Sequence, residues 1–95
     1  MVIKFGNIAY KLCQIDSDMD NRNITISKLR SFHAILVQMD AELLEFIKYS
    51  DDGDALYKVA CCMHVTIKYL LYREMLMVDE REGKQNEKDN IYIKN

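Results

Sequence analysis

The sequence predicts an all-α protein: a short N-terminal helix packed on a long antiparallel αα-hairpin, assembling as a dimeric helical bundle. Three observations predict it. There is no proline and there are only three glycines in 95 residues, which favours long helices over a turn-rich β fold. Leu29, Phe32, Leu36, Met39, Leu43 and Phe46 follow one another at alternating steps of three and four, the spacing of a heptad seam. Residues 54–78 are the most apolar stretch of the chain, and their apolar positions also recur at helical spacing.

The first element is expected over residues 2–15, with Asn7 as its cap and Ile8, Leu12 and Ile15 along one face. The β-branched start Val2-Ile3 leaves a short strand or extended arm as the competing reading. Residues 16–23 then read as a polar loop. Asp16, Asp18 and Asp20 echo the first ligands of a calcium loop. In that register, however, Asn21 stands where the turn needs glycine and Ser27 where the bidentate glutamate belongs. A solvated, helix-capping acidic segment is expected instead.

The second helix is expected from about Ile26 to Tyr49, started by Thr25 or Ser27. Ile35, Val37, Ala41, Leu44 and Ile47 widen its apolar face beyond a coiled-coil stripe, so cover on more than one side is expected. Asp51-Asp52-Gly53-Asp54 ends this helix and caps the next, with Asp54 or Asp52 as the N-cap. The short connection makes the two long helices an antiparallel hairpin about 35 Å long. Met39, Met63, Met75 and Met77 suit irregular gaps between such helices.

The third helix carries two faces. Leu56, Val59, Ala60, Met63, Ile67, Leu70 and Leu71 form the expected core stripe. Tyr57, Cys61, His64, Lys68, Tyr72 and Met75 form a second, mixed stripe about 90° around the helix. Two faces ask for two sets of neighbours. Tyr57, Cys61, His64, Lys68 and Tyr72 are therefore the expected partner interface, most simply in a twofold homodimer. After Val78 the composition turns almost wholly polar, which divides the chain into a helical domain over 1–78 and a charged, flexible tail over 79–95.

Several function classes lose support on this sequence. A membrane span needs about 20 mainly apolar residues, and Lys58, His64, Lys68, Arg73 and Glu74 interrupt the one candidate run. No signal peptide is visible at the N-terminus. The three cysteines, two of them adjacent, do not make a disulfide framework, so a reducing, cytoplasmic setting is expected. Cys61 and His64 share a helix face but do not close a zinc site; Cys13 and His33 would have to complete it from other helices. With no glycine-rich phosphate loop and no nucleophile elbow, neither an enzyme nor a bound cofactor is expected.

The net charge of −2 gives no global electrostatic case for nucleic acid. A local cationic, tyrosine-bearing surface is the alternative, with Arg30, Lys58, Lys68 and Arg73 as contacts to a phosphate backbone or nucleotide. The lean towards Ile, Lys, Asn, Asp and Tyr is that of AT-rich coding DNA, as in a phage, a virus or a low-GC bacterium.

Two resemblances bear on that alternative. Thr25-x-Ser27-x-Leu29-Arg30, opening a helix after a short helix and polar loop, resembles a segment of the helical small subunit of type III CRISPR effector complexes. The resemblance implies a helical protein that stacks along a filament and touches target RNA without sequence preference. Leu29-Arg30-x-x-His33, followed by Ala55-Leu56-x-Lys58 and Met63, resembles phage helical-hairpin proteins that sequester cyclic nucleotides. The residues themselves point first to a small non-enzymatic protein that self-associates and takes a protein partner. A nucleic-acid or nucleotide binder of antiviral defence or counter-defence is the alternative.

Overall fold

The computed structural model describes the backbone of residues 4–93 and the side chains of residues 4–83. Three helices and no strand occur among the described residues: α1 (Phe5–Met19), α2 (Ile26–Lys48) and α3 (Ala55–Ile93). The all-α class and the N-terminal helix on an αα-hairpin are therefore as the periodicities predict.

α1 is longer than expected at its C-terminal end. Asn7 is not its cap, because the Ile8 amide already donates to the Lys4 carbonyl at 3.2 Å, so the helical ladder is running before residue 7. Lys4 holds the N-cap position without a side-chain capping bond. The helix also runs through Asp16 and Asp18, which the sequence assigns to a loop. Met19 continues the buried line of Ile8, Leu12 and Ile15 by one more turn, and that burial outweighs the turn preference of aspartate.

α2 begins where Thr25 predicts. Its extended backbone directs Oγ1 to accept the Lys28 amide at 3.0 Å, satisfying one orphan donor of the first turn. Thr25→Ala is expected to cost about 1 kcal/mol and to lower the melting temperature by roughly 4–8 °C, measured by thermal denaturation. In the connection, Asp51 accepts the Gly53 amide at 3.3 Å and Asp54 accepts the Leu56 amide at 3.0 Å, so Asp54 caps α3.

Contacts between the helices order the bundle. Asp40 meets His64, His33 meets Glu74 and Arg30 meets Glu82, so α2 and α3 are antiparallel. Phe5 packs edge-on against Phe46, with ring centroids 5.3 Å apart, while Asp16 and Asp20 meet Arg73 and the Arg22 carbonyl accepts from Arg81. α1 thus runs alongside α3 in the same direction, and the chain goes up, down and up. The core gathers Leu12 and Ile15 of α1, Leu29, Leu36 and Leu43 of α2, and Ile67 and Leu70 of α3, all buried.

One expectation for α3 needs correction. Leu56 and Val59 are exposed rather than core. The helix that would cover that side, α1, begins only at Phe5, level with Phe46, so the first turn of α3 extends past its cover. At its other end, α3 passes the change in composition at Val78 and continues to Ile93. Glu, Arg, Lys and Gln are good helix formers, and Arg81 and Glu82 are tied to the bundle.

Candidate functional site

α3 is covered on one side only. Its buried residues Ala60, Ile67, Leu70 and Glu74 face α1 and α2. At 100° per residue the opposite side carries Lys58, Cys62, Val65, Tyr69, Tyr72, Leu76 and Asp79, spaced by alternating steps of four and three. Val65, Tyr69, Tyr72 and Leu76 are 64%, 57%, 56% and 47% exposed. One large apolar side chain at a surface is ordinary; a line of them along one helix is a candidate interaction surface.

Next to this line, between α2 and α3, lies a groove of about 650 Å³ lined by Arg30, His33, Leu71, Tyr72, Glu74, Met75, Val78 and Asp79. Its floor is largely apolar and its rim is charged. Tyr72 belongs to both the line and the groove, which joins them into one surface. Val37 and Leu44 of α2 add exposed apolar positions.

Glu74 is the polar residue that interrupts the core, at 6% exposure. Its Oε2 lies 3.2 Å from His33 Nδ1 at the mouth of the groove. The carboxylate occupies the phase of Leu70 and Ile67, four and seven residues before it in the core repeat. Its spacing could have marked it, because a charged residue in phase with a core stripe needs a partner. A second histidine–carboxylate pair, His64 Nδ1 with Asp40 Oδ1 at 2.6 Å, locks α2 to α3 further along.

The expected interface residues do not all share one exposure. Tyr72 and Lys68 are exposed, whereas Tyr57, Cys61 and His64 are half-buried, and the ring of His64 is engaged by Asp40. Negative charge at Cys61, one turn away, is the main cause pushing the Tyr57 phenol above its ordinary pKa, with the hydrogen bond to Cys61 next. Val65, Tyr69 and Leu76, which the second stripe omits, are more exposed than Cys61 and His64. A single helical wheel does not show where α1 will lie.

The four expected phosphate contacts separate in the same way. Arg73 directs its two terminal nitrogens to Asp16 and Asp20, the second at 3.0 Å. Partial burial opposes the charge on Arg73, but the hydrogen bonds to the two carboxylates outweigh it and raise its pKa. Arg30 is held by Glu82 at 2.6 Å, on the groove side. Lys58 and Lys68 are exposed and make no ion pair among the described residues. Two of the four cations thus already have carboxylate partners, and Arg30 and Arg73 lie on opposite flanks of Tyr72.

Asp16 and Asp20 serve as counter-ions to Arg73, which accounts for that acidic run. Among the described residues, no three His, Cys, Asp or Glu side chains come together as a metal site. Cys13 and Cys62 are exposed free thiols and Cys61 is half-buried. No described helix is long and apolar enough to cross a membrane.

Comparison with protein-family models, curated proteins and solved structures gives no match.

Proposed function

We propose that the protein is a non-enzymatic assembly protein that self-associates through the outer face of α3, with the adjoining groove as part of the contact. The observation that carries this reading is the unbroken line Val65, Tyr69, Tyr72 and Leu76 on the side of α3 away from its own bundle. Tyrosine supplies large contact area at little cost in conformational entropy and is enriched at interface centres.

The test is molar mass by light scattering on size-exclusion chromatography, with an in-line ultraviolet spectrum. The wild-type protein is expected to run as a dimer free of nucleic-acid absorbance. Val65→Asp with Tyr72→Asp is expected to give a monomer of unchanged helicity, because both side chains are more than half exposed. A wild-type monomer, or a double variant that keeps the dimer mass, would overturn the reading. Co-purifying nucleic acid removed by salt would transfer support to the phosphate-binding alternative.

A further inference from the structure

We infer that the occupant of this face is α3 of a second copy, running antiparallel about a twofold axis between Tyr69 and Tyr72. The inference rests on the self-association reading and adds the orientation and register of the pair. A seam with alternating steps of three and four is what one helix presents to another along its length. Cys62, Val65, Tyr69, Tyr72, Leu76 and Asp79 span 18 residues of such a seam, about 26 Å at 1.5 Å per residue.

The distribution of charge selects the direction. Lys58 and Lys68 lie on the N-terminal half of the exposed face and Asp79 on the C-terminal half. A parallel pair would set like charges side by side, whereas an antiparallel pair sets Lys68 near Asp79 of the second copy. The register follows from matching the seam to itself in reverse. Tyr69 meets Tyr72 of the second copy, Val65 meets Leu76, and Cys62 meets Asp79. Helical side chains lean towards their own N-terminus. In an antiparallel pair that lean carries the Lys68 ammonium along Met75 of the second copy towards its Asp79.

The side of the seam next to α1 supplies an independent observation. Twofold symmetry in this register brings Arg73 of both copies towards each other. Each is already held by its own Asp16 and Asp20, so the approach is not one of two bare cations. The exposed apolar side chains offer on the order of 500 Å² per copy, placing the pair near the lower limit of specific interfaces at about 1,000 Å² in total. The dimer is accordingly expected to dissociate on dilution.

The experiment is a charge swap read by sedimentation over a dilution series, with a cross-linking arm. Lys68→Glu alone and Asp79→Lys alone are each expected to weaken the dimer about tenfold, because symmetry repeats each pair twice. Lys68→Glu with Asp79→Lys is expected to restore it. In a Cys13→Ser, Cys61→Ser background, Asp79→Cys should give a covalent dimer with native Cys62 on mild oxidation, and the background alone should not. A dimer indifferent to the single reversals, or one that cross-links through Cys62 without Asp79→Cys, would overturn the antiparallel register while leaving self-association standing. A monomer at every concentration would overturn both.

Discussion

Leu36→Ala is expected to destabilise the protein by about 2–5 kcal/mol. Leu36 is fully buried, in the middle of the α2 seam, between the layers of Phe32 and Leu43. A domain of this length has a total stability of only about 5–14 kcal/mol at the usual per-residue value, so much of the margin would go. Removing the side chain forfeits its transfer free energy and leaves a void that rigid helices on either side close only in part. Urea unfolding followed by circular dichroism, at a protein concentration held constant, measures the effect. Val37→Ala, one position along and about half exposed, is the control, with an expected change within about 0.5 kcal/mol. Equal effects at the two positions would contradict the burial pattern.

The second large effect concerns the carboxylate in the core. His33→Ala is expected to cost about 1–3 kcal/mol, although His33 itself is more than half exposed. The cost arises on the partner: Glu74 would stay buried and lose the ring nitrogen at 3.2 Å. Adding Glu74→Leu to His33→Ala should recover most of that loss, since replacing both members of a buried polar pair by apolar groups is often neutral or better. The pair lies at the mouth of the groove, where water can reach the carboxylate, which places the expected cost towards the lower end. A double-mutant cycle in urea decides the matter. A His33→Ala variant as stable as the wild type would mean that the groove solvates Glu74 by itself.

The helix pair was legible because its information is local. All six residues of the α2 seam from Leu29 to Phe46 pack in or against the core, and Thr25 and Asp54 cap the helices they precede. From Ala60 onwards the α3 core stripe is also where its spacing predicts. What failed to read out depends on the third helix. Asp16, Asp18 and Asp20 favour a loop by composition, yet Asp16 and Asp20 are one turn apart on a helix face that meets Arg73. The exposure of Val59, the half-burial of Cys61 and the engagement of His64 likewise follow from how three helices divide the sides of α3. No periodicity within α3 encodes that division. Glu74 is different: its spacing places it in the core phase, but nothing in the sequence points to its histidine partner on α2.

The parallel placement of α1 beside α3 has a consequence for the order of assembly. α2 and α3 meet across the short Tyr49–Asp54 connection, so their docking closes a small loop. The ties to α3 from α1 and the turn that follows it join residues 53 to 59 apart, and loop closure over longer separations costs more entropy before any contact repays it. The hairpin is therefore expected to form first and to serve as the platform onto which α1 settles. The same asymmetry makes α1 the first element to detach in native-state fluctuations. Its amides should exchange with solvent faster than those around Leu36 and Ile67, and each detachment would briefly uncover Leu70 and release Arg73 from its two aspartates.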